Sequence, residues 1–235
     1  AIDNADGSSD FAINPASYYP PNGGSYAIEP DLSAASYWLA AVLIHGGQLT
    51  LPLLGKETLQ GDARFGDLLA LHGLQVERHD KAWQLSSPGL PQLFAVDFNS
   101  VDFRHFSDTF LTYAAIMPLL GIPMQIEGIG HTRRQETDRI AGMATELARL
   151  GQRVHETGDS LTIQPDMEAL RAFALAARAR GELLEVETYE DHRFAMSFGV
   201  LGSFDLIGDE QPWLAIRNPT CCGKTYPDFF ERLES

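Results

Sequence analysis

One pattern returns three times along this chain, and it restricts the fold more than any single motif does. An acidic or hydroxyl residue opens an apolar helix at Asp31 to Gly47, Ser107 to Gly121 and Asp191 to Gly202. A strand follows each, at Gln48 to Leu54, Pro123 to Ile129 and Pro212 to Arg217. A second helix comes next, at Gln60 to His72, Arg134 to Leu150 and Tyr226 to Leu233. The first two units continue as strand pairs, Gln75–Arg78 with Trp83–Leu85 and Arg153–Glu156 with Ser160–Ile163. Offsets of roughly 75 to 90 residues make each unit a βαβαββ-like block. A stretch such as Ala34 to Leu43 is apolar on every side, so it must be buried all round. The expected class is therefore α+β (α/β by some schemes), one domain with buried helices and the sheets outside. Its three repeats fall at about residues 27–90, 91–166 and 167–235, with Met167 to Arg180 as a further helix. Residues 1–26, rich in Ser, Asn, Gly and Pro, read as a processed or truncated start. They are expected to form a linker or at most one edge strand, Phe11-Ala12-Ile13.

Composition narrows the partners. The 235 residues carry a formal net charge of −15, which argues against bulk binding to nucleic acid or to an anionic membrane. Any anionic substrate must be drawn in by a local basic cluster. No apolar run approaches a membrane span, and no secretory signal is present. Cys221 and Cys222 are adjacent, where a disulfide would be strained, so they read as reduced thiols of a cytosolic protein. The histidines are scattered, without metal-ligand spacing, and neither a metal nor a cofactor is expected. Gly223-Lys224-Thr225 resembles the tail of a P-loop, but Asn218 stands where that loop needs glycine. Gly128-Ile129-Gly130 lacks the third glycine of a dinucleotide fingerprint, since Arg133 takes its place.

The chemistry gathers at the helix starts. Ile140, Met143, Leu147 and Leu150 form an apolar stripe, and Thr132 with Gln135 makes a capping-box pattern for a helix from Arg134. Glu136 then continues the apolar face at the helix mouth, with Arg139 beside it. A half-buried carboxylate next to a guanidinium, at the positive end of a helix, suits an anionic ligand and a proton carrier. In a threefold repeat, equivalent helix starts face one way. One rim should therefore collect Arg139, Arg193 and Lys224 with His131, His192, Asp108 and Glu136. Asp191 and Ser107 read as helix caps.

Four stretches carry a family resemblance. They are Glu29-Pro30-Asp31-Leu32-Ser33-Ala34-Ala35-Ser36-Tyr37, Gln135-Glu136-Thr137-Asp138-Arg139, Tyr189-Glu190-Asp191-His192-Arg193-Phe194-Ala195-Met196 and Gly223-Lys224-Thr225-Tyr226-Pro227-Asp228-Phe229-Phe230. In this order they resemble the C-terminal half of the 5-enolpyruvylshikimate-3-phosphate (EPSP) synthase family. The sister family that acts on UDP-N-acetylglucosamine shares the fold but not this pairing of motifs. The resemblance implies one enolpyruvyl-transferase lobe over 27–235, a missing N-terminal lobe, and cytoplasmic aromatic amino acid biosynthesis. It implies transfer of the enolpyruvyl group of phosphoenolpyruvate to the 5-hydroxyl of shikimate 3-phosphate. Asp108 would be the base for that hydroxyl, and Glu136 would give a proton to the methylene carbon and later take one back. Arg139, Arg193 and Lys224 would bind phosphoenolpyruvate with support from His192, while shikimate 3-phosphate would touch Asp108, His131 and Gln135. Gln135 and His131 depart from the family pattern, where many members have lysine and asparagine.

Overall fold

Asp31 and Asp191 cap two of the apolar helices as the sequence implies, and the buried centre is built from them. The computed structural model describes residues 2–3, 9–12, 15, 22–90 and 99–234. The chain opens with β1 (Ile2–Asp3) and β2 (Ser9–Asp10), then α1 (Leu32–His45), β3 (Gly47–Pro52), α2 (Ala63–Leu71), β4 (Gln75–Arg78) and β5 (Ala82–Ser87). A second stretch holds β6 (Ser100–Asp102), α3 (Phe110–Leu120), β7 (Met124–Glu127), α4 (Arg139–Arg149), β8 (Arg153–Glu156) and β9 (Ser160–Gln164). The last holds α5 (Met167–Ala179), β10 (Leu184–Val186), α6 (His192–Ser203), β11 (Leu214–Ile216) and α7 (Phe229–Leu233).

Helices α1, α3 and α6 pack against one another in the core. Every residue of α3 is buried, as expected for a helix with no polar face. Where the three touch, each contributes one buried hydroxyl: Ser36 Oγ lies 3.3 Å from Thr112 Oγ1, which lies 3.3 Å from Ser197 Oγ. The Asp31 carboxylate accepts from the amides of Ser33 (2.8 Å) and Ala34 (3.2 Å), and the Asp191 carboxylate from that of Arg193 (2.9 Å). Ser107 does not cap. A 3₁₀ turn over Ser107–Thr109 leads into α3, and the Ser107 hydroxyl goes instead to His131.

Besides the antiparallel β1–β2 pair, the described residues form three sheets outside these helices, as the apolar pattern demands. Strands β3, β5 and β4 form an antiparallel sheet in that order. The next sheet runs β6-β7-β9-β8, parallel between β6 and β7 and antiparallel elsewhere. The third pairs β10 with β11 in parallel. Alternation is visible in β7, where Met124 and Ile126 are buried and their neighbours are not. The fold is α+β.

Several boundaries differ from the sequence reading. The second helix of the middle unit starts at Arg139, not Arg134, because Asp138 is its cap: the carboxylate accepts from the amide of Ala141 at 3.0 Å. Arg133 grips that same carboxylate with Nη1 at 2.9 and 2.8 Å, and residues Gly130–Arg134 wind as a 3₁₀ turn. The Thr132 hydroxyl donates to the Ile129 carbonyl, so the capping box is not made. Strands β6 and β10 have three residues each, too short for a periodic signal. Phe11 and Ala12 follow β2 outside any strand, and Ile13 lies outside the described residues.

Candidate active site

Six of the eight expected site residues belong to one connected charge network at the starts of α3, α4 and α6. Arg139 is its hub. It is 1 % exposed and uses every nitrogen. Nε donates to Asp191 Oδ2 at 2.7 Å, Nη1 to Asp108 Oδ1 at 3.1 Å and to the Gln135 side-chain carbonyl, and Nη2 to Glu136 Oε2 at 2.8 Å. The other Asp108 oxygen accepts from Arg193 Nη2 at 2.8 Å. The other Glu136 oxygen accepts from Lys224 Nζ at 3.1 Å. The chain of contacts thus alternates in sign, from Lys224 through Glu136, Arg139 and Asp108 to Arg193. This places the three cations around two shared carboxylates, and it puts Asp108 and Asp191 at the same end of the molecule.

The remaining two expected residues flank the network. His192 is buried, its Nδ1 3.7 Å from Asp191 Oδ1, and burial followed by the Arg193 charge pushes its pKa down. His131 is exposed and pairs through Nε2 with the Ser107 hydroxyl at 2.8 Å. Lys224 ends a 3₁₀ turn, Pro219–Lys224, whose buried Cys222 thiol reaches the His192 carbonyl at 3.8 Å. That contact ties the lysine's turn to the start of α6. Cys221 and Cys222 are free thiols, and burial raises the Cys222 pKa to about 12.

One expectation needs correction. Glu136 sits in the loop ahead of α4 rather than on its apolar face, because the helix begins three residues later. Each of the three cations already touches a carboxylate. The electrostatics of Glu136 follow from its contacts. Partial burial pushes its pKa up, but its own backbone amide, Arg139 and Lys224 outweigh that and bring it down to about 2. The carboxylate is ionised at neutral pH.

Three contributors escaped sequence reading. Asp191 is a cap as expected, but it is also wholly buried and is the closest anion to Arg139. Asp62 accepts from the Ser33 hydroxyl at the start of α1, and its pKa is raised by burial first and also by the nearby Asp108 charge. Tyr37, buried on α1, faces Arg193. The aspartate-serine opener pattern marks α1 as pointing to this end but gives no signal for Asp62, whose role arises only from packing. Among the described residues no cluster of histidine, cysteine and carboxylates could hold a metal ion.

A family model for EPSP synthase (3-phosphoshikimate 1-carboxyvinyltransferase) matches residues 1–233. The chain belongs to the EPSP synthase family. A curated 3-phosphoshikimate 1-carboxyvinyltransferase from Opitutus terrae is 47% identical over 99% of this chain and 47% of its own length. The enzyme of that name from Nostoc punctiforme is 37% identical over 88% of this chain and 43% of its own. This EPSP synthase family chain thus spans about half the length of the curated relatives it matches. Among solved structures, an EPSP synthase from Acinetobacter baumannii aligns at a TM-score of 0.63 and 19% identity, over 87% of this chain and 45% of that one. The enolpyruvyl transferase NikO from Streptomyces tendae aligns at 0.59 and 19%, over 88% and 43%. At such identities the two structures speak for the fold alone.

Proposed function

We propose that this chain is one lobe of an EPSP synthase, transferring the enolpyruvyl group of phosphoenolpyruvate to the 5-hydroxyl of shikimate 3-phosphate. An N-terminal lobe supplies the other wall of the cleft, and the enzyme works in the cytoplasm on the route to aromatic amino acids. The observation that carries this reading is the pair of carboxylates, Asp108 and Glu136, each bridging two cations. An addition–elimination on an anionic substrate needs fixed cations for its charge and two separate proton carriers.

In the addition, Asp108 takes the proton of the attacking hydroxyl, whose oxygen bonds to the central carbon of phosphoenolpyruvate while Glu136 protonates the methylene carbon. In the elimination, the bond from that central carbon to the phosphate oxygen breaks, inorganic phosphate leaves with the proton that Asp108 took from the hydroxyl, and Glu136 takes back a proton from the methyl group. The ionised Glu136 of this arrangement suits the second step. Arg139, Arg193 and Lys224 bind phosphoenolpyruvate with His192 behind them. His131 and Gln135 face shikimate 3-phosphate.

The test is phosphate release from the two substrates by the full-length enzyme. Glu136→Gln keeps the shape but removes the proton carrier, so kcat is expected to fall about 10²–10⁴-fold with KM nearly kept. Full turnover in that variant would remove Glu136 from the mechanism. No turnover in the unmodified enzyme would overturn the assignment itself.

A further inference from the structure

A buried carboxylate, Glu146, lies on the hub arginine's own helix, two turns further along. Glu146 is completely buried on α4, and a charge there is tolerated only if donors surround it. Four hydrogen bonds do so. Arg149 Nη1 reaches its two oxygens at 3.1 and 3.0 Å, the Tyr189 hydroxyl donates to Oε1 at 2.7 Å, and the Glu187 amide donates to Oε2 at 3.2 Å. Two of the four therefore come from the segment that leads into Asp191.

That segment is bent in an unfavourable way. The Asp191 amide donates to the Thr188 carbonyl at 2.8 Å, closing a turn whose middle residues, Tyr189 (φ 53°) and Glu190 (φ 58°), are both left-handed. Side chains other than glycine persist there only when their surroundings hold them. Helix α4 provides the hold. Arg139, Gly142 and Glu146 fall at spacings of three and four, hence on one face. Gly142 leaves the room: a Cβ there would sit 2.7 Å from Phe194 and 3.2 Å from the Tyr189 ring. The Tyr189 and Phe194 rings meet edge to face at 5.3 Å across this slot.

We infer that Glu146 is a positioning residue for the anion site: by holding Tyr189 and Glu187 it fixes the left-handed turn that delivers Asp191 to Arg139. One face of α4 thus carries both the guanidinium and the fixture that sets its counter-ion. This rests on the reading of Arg139 and Arg193 as an anion site, and the test separates the two.

The experiment compares Tyr189→Phe, Glu146→Gln and Glu146→Ala in the full-length enzyme, reading inorganic phosphate binding by calorimetry, KM for each substrate, kcat and Tm. Tyr189→Phe removes one hydrogen bond and no packing, and is expected to weaken phosphate and to raise the phosphoenolpyruvate KM about threefold to tenfold. The shikimate 3-phosphate KM should stay within about twofold. Glu146→Ala should do more, and Glu146→Gln, which keeps an acceptor for Tyr189, should recover part of the loss. Combined with Tyr189→Phe, Glu146→Ala should be less than additive, since both cut the same contact. A fall in Tm with phosphate affinity and both KM values unchanged in Tyr189→Phe and Glu146→Gln would overturn the inference, leaving Glu146 a stabilising residue only. An unmodified enzyme that binds phosphate but does not turn over would sink the proposed reaction while the phosphate comparison still decides the role of Glu146. An unmodified enzyme that binds no phosphate would remove the anion site and this inference together.

Discussion

The two arms of the charge network differ in depth, and the difference separates what holds the site together from what it offers to a ligand. On one arm Arg139 and Asp191 meet at 2.7 Å with 1 % and 0 % of their side chains exposed. On the other, Lys224 reaches Glu136 at 3.1 Å with 65 % and 33 % exposed. A buried pair is rigid because breaking it strands a charge in low dielectric, whereas an open pair exchanges with water at little cost. The inner arm is therefore the rigid part of the network and the outer arm the exchangeable part. Asp108 stands between them, half-buried, with one oxygen on each arginine.

Four measurements would break or sharpen that contrast. The largest effect is expected from Asp191→Ala, which leaves Arg139 without its nearest anion and removes the cap of α6. Denaturant unfolding of the full-length protein should show a loss of about 3–5 kcal/mol; a loss below about 1 kcal/mol, the range of exposed pairs, would erase the distinction. Arg193→Ala comes next. Its head group touches Asp108 at 2.8 Å and is proposed to bind phosphoenolpyruvate, so the phosphoenolpyruvate KM should rise about tenfold or more, well above any change for shikimate 3-phosphate. Equal changes in both would contradict its assignment to one substrate.

The third effect is of pH. Glu136 has a folded-state pKa of about 2, below its ordinary value of 4.5, so its pairs add stability that is fully present above about pH 4.5. That contribution is lost as pH falls through 2. Glu136→Gln should flatten this part of the stability curve, by an amount kept small by solvent screening. An unchanged curve between pH 4.5 and 2 would mean that the two cations do not hold Glu136. The smallest effect belongs to Lys224→Ala, which should alter unfolding free energy by under about 1 kcal/mol while weakening phosphate binding in a salt-dependent way. A stability loss as large as that of Asp191→Ala would place Lys224 on the inner arm after all.

The same contrast governs what the sequence disclosed. Local signals were sound: Asp31 and Asp191 cap their helices, the wholly apolar α3 is buried throughout, and β4 and β8 occupy the residues their alternation marks. The rim was legible because three like openers in a repeat must point one way. What escaped depends on contacts distant in sequence. Asp138 took the cap in place of Thr132 and is gripped by Arg133, which also pairs with Glu156 some twenty residues further on. Ser107 lost its capping role to His131, which no local pattern predicts. Asp62 and Glu146 carry no sequence signal, and only packing shows that one lies near Asp108 and the other in the core. The three-residue strands β6 and β10 stand outside the recurring helix–strand–helix pattern that gave away the equally short β11.

The alternating chain of charges has a further consequence for proton traffic. In the proposed mechanism a substrate anion on Arg139 and Lys224 competes for them with Glu136, which already holds both. A carboxylate deprived of two cations, with a negative ligand beside it, regains its affinity for a proton. Arrival of the ligand and loading of the acid then become a single exchange. In the proposed mechanism the resting site holds Glu136 as a base, and the substrate it is to act upon converts it into the donor.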